Sequence, residues 1–567
     1  MNVTPDDRGL RWPFPVFRSL DGYRWTWLPR DVTAGILVVA IAIPLSMGMA
    51  EVAGMPPIAG LYSCVLPLIA YALFGSSRQL VIALDASTAA MVALAVAPIA
   101  GGDAIRYAAL AGLVALLVGL VLMLAGSLRL GIAANLLSRP VLLGYQAGLA
   151  MVVIVSQLPR LLGVTVRADD TLRRAIETVT GLGQTSLQTF VVGAMCLTLV
   201  TVAAAWRLGA PAALVAVVGA TVAVAIFPST LGTVQVLGEL PAGIPALHIP
   251  SVTSADVWAL LPVSAVIALL AAADTIVSSR AFAQRNGYDV DANRDLIGLG
   301  AANLASGLSG GITTSASAAR TAVVEMVGGR SQLASVAAAG AMVIVLLFLT
   351  RPLETVPTAA LAAVVIGAVL RLIEVRSLRA LWRIRRSEFL IALATAFGAV
   401  VFGLLEGIVI GVALTLIDFG VRRVRRRRYA PGLRDERKAR ALAPAVGSAT
   451  APVYRFTGAL YFANALRFRE GAFRLIESTP RARRLIVDAT AIPDIDATAV
   501  EMLADLVDEL ERRGVALMLV GLALSVRQVL SRAALHRIGP DHVSDTWEGT
   551  LPVRSIGVSE RSGPSSG

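Results

Sequence analysis

Apolar runs, each close to the ~20 residues that carry a helix across a bilayer, follow one another from about residue 31 to about residue 420. Segmenting them predicts helices near 31–50, 57–74, 86–100, 107–126, 137–157, 187–206, 211–227, 256–282, 294–308, 316–327, 333–350, 358–372, 387–404 and 407–420. Beyond residue 421 the pattern changes. There, 453–462 (VYRFTGALYF) reads as a strand and hairpin, 481–496 (RARRLIVDATAIPDID) as a buried strand, 497–514 as an amphipathic helix, 515–522 as another strand and 525–535 as a second helix. Strands alternating with helices predict a small α/β domain. The chain is thus expected to comprise an N-terminal segment (1–30), a transmembrane domain (31–420), a basic linker (421–449), a soluble domain (450–552) and a flexible tail (553–567).

Two of the fourteen segments are abnormal and hold equivalent places. The third is short and follows SSRQLVIAL, which reads as extended; the tenth is short, weakly apolar and follows GLSGGITTSAS. If the chain is two sets of seven, these are the third helix of each set. Short or glycine-interrupted segments in matching positions of two halves point to a transporter site at the membrane midplane. Their free N–H groups and positive dipole ends would face each other there, and the implied cargo is an anion.

Composition agrees with a membrane location: 56% of the residues are hydrophobic and only 16% charged, too apolar for a soluble protein of this size. The junction VRRVRRRRYAPGLRDERKAR places six arginines in the seven positions from Arg422 to Arg428, just after the last apolar run. That is a positive-inside signal, so the C-terminal domain is expected in the cytoplasm. An even number of spans then puts the N-terminus there too, along with the basic loop RLIEVRSLRALWRIRRSEF. Beside a membrane helix the arginine run favours anionic lipid head groups over nucleic acid. Cys64 and Cys196 lie in apolar stretches, and His248, His536 and His542 are scattered, so no metal site is expected. The start, MNVTPDDRGLRWPFPVF, lacks the apolar core of a cleavable signal peptide. The absence of a Walker lysine or another nucleotide fingerprint argues against an enzyme or a primary pump.

The stretches Ile43–Gln79 (IPLSMGMAEVAGMPPIAGLYSCVLPLIAYALFGSSRQ), Leu137–Gly163 and Arg280–Val323 carry a resemblance. They are similar to the signatures of the SulP anion transporters (sulfate permeases, solute carrier family twenty-six), and the likeness runs from about Trp25 to Thr550. The resemblance implies a polytopic α-helical fold of seven plus seven inverted transmembrane helices. Helices one to four and eight to eleven form its core domain, and five to seven and twelve to fourteen its gate domain. It also implies elevator-like movement, a homodimer, and a cytoplasmic C-terminal STAS (sulfate transporter and anti-sigma antagonist) domain open to a regulator. The expected function is secondary active transport of sulfate, bicarbonate or a dicarboxylate across the plasma (inner) membrane by proton- or sodium-coupled symport; an uncoupled channel or an exchanger is the alternative.

In similar proteins helix ten begins with a serine-rich turn and an arginine; Ser315, Ala316, Ser317 and Arg320 stand there, with Ala319 replacing a frequent hydroxyl. Arg320 is read either as a fixed positive charge near the anion or as an arginine held in ion pairs with Asp274 or Asp85, because an arginine in a membrane helix needs protein, water or a counter-ion. Asp274 occupies the place of a coupling carboxylate, beside Thr275; Thr313 and Thr314 could add oxygen ligands for a hard cation. Protonation of Asp274 is the simpler mechanism, and a mere neutraliser of Arg320 the plainer one. On helix one, Leu45 and Met49 replace a glutamine and an aromatic that line the anion site in many members. At the start of helix three, Ala83 and Leu84 replace a Gly-Pro pair, and Asp85 precedes Ala86, Ser87 and Thr88. Asp85 is either an N-cap or a titrating carboxylate that competes with the anion and couples a proton to it. In the soluble domain, Thr498 matches a position phosphorylated in signalling relatives; Asp496 and Thr498 also read as helix caps.

Overall fold

The computed structural model describes residues 17–20, 22–130, 138–166, 168, 170–206, 211–429, 450–533 and 542–544. The tail, the linker beyond residue 429 and the side chains of Arg422–Arg428 lie outside the described residues. The chain divides into two compact units.

The first unit takes in most of the apolar sequence up to Glu374, together with Ala394–Ile410. Its helices are α1 (Leu28–Val52), α2 (Pro57–Tyr62), α3 (Leu66–Phe74), α4 (Ala86–Ala100), α5 (Ala104–Ser127), most of α6 (Arg139–Leu162), α7 (Thr171–Thr180), α8 (Leu187–Ala205) and α9 (Pro211–Ile226). After the single-turn α10 (Pro228–Leu231) come α11 (Ser254–Asn286), α12 (Ala292–Leu308), α13 (Ala318–Val327), α14 (Leu333–Phe348), the short α15 (Thr350–Glu354) and α16 (Thr358–Val369). The amphipathic α17 (Val375–Ile384) precedes α18 (Arg386–Val401) and α19 (Leu404–Tyr429). Each of the fourteen apolar segments read from the sequence falls on a helix, the second one broken between α2 and α3. Among the described residues seven helical stretches, Trp25–Val52, Ala104–Ser127 and Ser254–Ala283 among them, are long and apolar enough to cross a membrane; α4, α8, α9 and α14 are shorter apolar helices.

Backbones approach closely where side chains are small. A Cβ on Gly60 would lie 2.0 Å from the Ser46 carbonyl oxygen, so α2 can cross α1 only with glycine at that point. Between the short helices, two strands of two residues pair antiparallel: β1 (Ile82–Ala83) with β2 (Ser315–Ala316), Ile82 opposite Ala316 and Ala83 opposite Ser315. Ser315 and Ala316, expected at the start of helix ten, are therefore extended. The helix begins two residues later because the backbone of this segment is spent on the ladder, and Ser317 donates its N–H to the Val81 carbonyl.

The second unit contains Val375–Leu393, the first residues of α6 and the chain from Gly411 on. Its four-stranded sheet, β3 (Val453–Arg455), β4 (Arg484–Asp488), β5 (Ala516–Val520) and β6 (Val543–Ser544), runs in that order and is parallel throughout. The hairpin expected at 453–462 is therefore not formed. Gly458, at φ +113°, ends the extended stretch, and Leu460 makes an isolated parallel bridge to Ile495 instead. The next residues form α20 (Phe462–Glu477), a helix not read from the sequence. Its Ala465, Phe468, Ala472 and Ile476 are buried in the domain core with Leu485, Val487, Leu506 and Leu517; the spacing of three and four was the available signal. The helices α21 (Ala497–Arg512) and α22 (Leu524–Arg532) follow β4 and β5.

Candidate anion site

Because β1 and β2 are antiparallel and each runs into a helix, α4 and α13 leave the ribbon in opposite directions with both N-termini against it. Thr88 links the two starts, its Oγ1 donating to the carbonyls of Asp85 (3.1 Å) and Thr313 (3.2 Å). Each start is capped by its own side chain. Asp85 accepts from the Ser87 N–H at 3.1 Å and the Ser87 hydroxyl at 2.7 Å, which makes it the N-cap of α4. Ser317 accepts from the Arg320 N–H at 3.5 Å and caps α13.

Arg320 is the largest fully buried side chain among the described residues, with 1% of its surface exposed. Its guanidinium makes no ion pair with Asp274 or Asp85. Nη2 donates to the Ser46 hydroxyl at 3.0 Å, and that oxygen is 3.2 Å from the Cys64 sulfur. The close crossing at Gly60 brings Ser46 on α1 and Cys64, just beyond α2, together under the arginine. Neither Ser46 nor Cys64 emerged from sequence reasoning as a functional residue. The Nε of Arg320 is buried without a hydrogen-bond partner.

Other polar atoms here are buried and unmatched. The hydroxyls of Thr275, Thr313, Thr314 and Ser315 and the phenol of Tyr145 have no hydrogen-bond partner. The segment that presents Thr313, Thr314 and Ser315 is nonetheless fixed by its backbone: Asn303 bonds Thr314 through both N–H and carbonyl (2.8 and 3.0 Å), Ser306 donates to Ile312 at 2.6 Å, and Ser63 accepts from Ile312 at 2.8 Å. A rigid backbone with free hydroxyls is prepared for a ligand, since unsatisfied buried donors cost ~1–3 kcal/mol each. The carboxylate of Asp274, half-buried on α11, lies within electrostatic reach of Asp85 and of Tyr145 on α6. It forms no hydrogen bond or ion pair with a described residue, and α11 packs against β2 and α4.

Ala86 is buried at the start of α4, Met49 is 3% exposed and Leu45 is partly buried on α1. The structure thus brings Asp85, Ala86, Ser87, Ser315, Ala316, Ser317 and Arg320 to one ribbon, with α1 packed against α4 and α13. By contrast, the buried carboxylates of Asp31 and Asp295 are held by donors elsewhere, although Oδ2 of Asp295 is itself buried without a partner. Asp31 accepts from the Arg330 N–H and the Ser331 hydroxyl, and one Asp295 oxygen takes donors from Tyr71, Ser76 and Ser77. Among the described residues no cluster of metal ligands occurs.

In the second unit Asp496 caps α21, accepting from the Ala499 N–H at 2.8 Å. Thr498 is no cap: its hydroxyl accepts the backbone N–H of Arg139, the first residue of α6, at 3.0 Å, while the Arg139 guanidinium pairs with Glu501 at 3.0 Å.

Residues 28–395 match the sulfate permease family, and residues 443–548 the STAS domain. The chain belongs to the sulfate permease family. It is 39% identical to the probable sulfate transporter Rv1739c of Mycobacterium tuberculosis, over 92% of this chain and 94% of that one. Its fold resembles that of the murine Solute Carrier 26 family member A9 anion transporter in the inward-facing state (TM-score 0.65, 20% identity, 91% of this chain and 89% of that one). It also resembles the transmembrane domain of the cyanobacterial bicarbonate transporter BicA (TM-score 0.61, 24% identity, 68% and 98%). The protein is therefore a multi-pass membrane anion transporter with a STAS domain, and no enzyme.

Proposed function

We propose that the protein is a secondary active carrier of an oxyanion, with sulfate the first substrate to test, since its relative in Mycobacterium tuberculosis is named a probable sulfate transporter. One observation carries the reading: Arg320, buried on the first turn of α13, whose start is paired through the ribbon with that of α4, has an Nε without a partner. Helix N-termini and a guanidinium both favour anionic oxygen, and the free Thr313, Thr314 and Ser315 hydroxyls supply further donors. Leu45 and Met49 add none, so polar recognition rests on the starts of α4 and α13.

Coupling falls to Asp85, which caps α4, and to Asp274, within electrostatic reach of it, neither of which pairs with an arginine among the described residues. A proton or sodium ion bound at Asp274 removes its repulsion toward an incoming anion, and Thr275 and Thr313 are oxygen donors at hand for sodium. The helices follow a seven-plus-seven inverted arrangement of fourteen spans. The core carrying α1, α4, α11 and α13 slides past the gate carrying α6, α16 and α18 in an elevator motion, within a homodimer in the plasma membrane. Both termini and the STAS domain face the cytoplasm, where a regulator can reach Thr498. Uptake of a panel of labelled anions into proteoliposomes, with and without proton and sodium gradients, tests this. Saturable uptake driven by one gradient supports symport. Uptake independent of both gradients but dependent on internal anion means exchange, and large unsaturable currents mean a channel.

A further inference from the structure

The amphipathic α17 carries its Leu378, Leu381 and Ile384 into the core of the second unit, beside Val526, Val529 and Leu530 of α22. Above this apolar seam a cleft of about 850 Å³ opens, lined by Trp382, Arg383, Arg385, Arg386, Gln528 and Arg532 among others. Among the described residues Asp494 is the only carboxylate in its lining, and Arg385 already engages it through Nη2, which also donates to the Ile495 carbonyl at 2.7 Å. Arg386 stacks over the Trp382 ring at 5.3 Å from its centroid. Arg383 and Arg532 have no ion pair with any described residue, and both are exposed. Guanidinium groups gathered around one cavity repel one another, and the repulsion is relieved when a multivalent anion joins them.

We propose that this cleft is a binding site for a phosphate-bearing anion, distinct from the transported substrate's site and supplied by an acidic phospholipid head group or a soluble phosphate ester. The position favours the lipid. Arg386, separated from the end of α17 by Arg385 alone, opens the apolar α18, and Trp382 sits edge-on against Phe389 of that helix at 5.0 Å. An exposed tryptophan beside arginines at the start of an apolar helix is the composition of a membrane interface, and basic pockets at the cytoplasmic end of membrane helices take phosphorylated head groups. The volume lies within the range of small-molecule pockets, ample for a glycerophosphate head group. The bound phosphate would bridge Arg383 of α17 to Arg532 of α22, fastening the membrane-proximal helix to the STAS domain.

The full chain in nanodiscs of phosphatidylcholine alone, or with phosphatidylglycerol added, tests this by thermal unfolding. Wild-type protein is expected to gain several degrees with the acidic lipid. The pair Arg383→Ala and Arg532→Ala should lose at least half of that gain, while Arg481→Ala with Arg484→Ala, which removes equal charge from exposed positions elsewhere in the domain, should keep it. The midpoints in phosphatidylcholine alone show whether each variant folds, and Arg383→Lys with Arg532→Lys provides a milder change if the alanine pair does not. Glycerol 3-phosphate added to phosphatidylcholine nanodiscs separates the sources: an equal gain assigns the site to a soluble ester, and no gain assigns it to lipid. An acidic-lipid gain that is the same in the cleft variants and in wild type, with no response to the soluble ester, overturns the proposal.

Discussion

At the scale of single residues, the site turns on what holds Arg320 and what Asp85 does. The Ser46 hydroxyl, wedged between the guanidinium and Cys64, fixes the direction in which the free Nε points. A hydrogen bond to a charged group contributes ~1.5–3 kcal/mol, so Ser46→Ala should raise the KM for anion uptake about tenfold with little change in the amount of folded protein, and Ser46→Thr should restore most of the affinity. Kinetics of the three proteins in proteoliposomes check this; an unchanged KM would remove Ser46 from the site. Asp85→Asn separates two roles, because asparagine caps a helix about as well as aspartate but carries no charge. The variant should fold normally and lose the stimulation of uptake by a proton gradient, whereas an unaltered pH dependence would leave Asp85 a cap alone. Arg320, Asp274 and Asp85 were legible in the sequence because a charge in an apolar run has to be explained. Ser46 was not: a small hydroxyl in a membrane helix is unremarkable until a partner 274 residues away is seen to use it. Tyr145 escaped for the same reason, its unpartnered phenol gaining meaning only from the carboxylates it faces.

At the scale of elements, the two short helices were readable from interrupted hydrophobicity, but the ribbon between them was not. Two-residue strands are too short for a period, and only the antiparallel register of β1 with β2 makes the helices diverge. The α1–α2 crossing is set equally locally. Gly60→Val would drive its side chain into the Ser46 carbonyl, 2.0 Å from the Cβ position. Overpacking of this kind costs ~1–3 kcal/mol, so the thermal midpoint should fall, and because Ser46 moves with its backbone the KM should rise in the same variant. A fall in stability without a change in KM would separate the crossing from the site. In the soluble domain β3, β4, β5, α21 and α22 were legible from apolar runs and amphipathic spacing, whereas β6, two residues long, was not. The hairpin failed because Gly458 turns the chain toward Ile495 rather than back on itself.

For the whole molecule, fourteen apolar segments and a C-terminal α/β domain are written in hydropathy and charge, whereas the tie of Arg139 to Thr498 and Glu501 is a tertiary fact no pattern announces. The proposed movement of core against gate has a direct consequence at the far ends of α1 and α6. There Arg160 pairs with Glu51 at 3.1 Å beside a cavity of about 780 Å³ that also borders Ala90 and Ala93 of α4. Joining Glu51→Cys to Arg160→Cys with a short bis-maleimide should stop uptake if these helices slide, while the unjoined double variant continues to transport; undiminished uptake by the joined protein would contradict the sliding. The central claim is that anion binds at Arg320 between the two half-helices, and sulfate uptake into proteoliposomes by wild type, Arg320→Lys and Arg320→Ala tests it most directly. The account predicts saturable uptake by wild type, weakened affinity with lysine, which keeps the charge but not the fork, and loss of competable uptake with alanine although the protein remains folded. Equal KM values in the three proteins would contradict it.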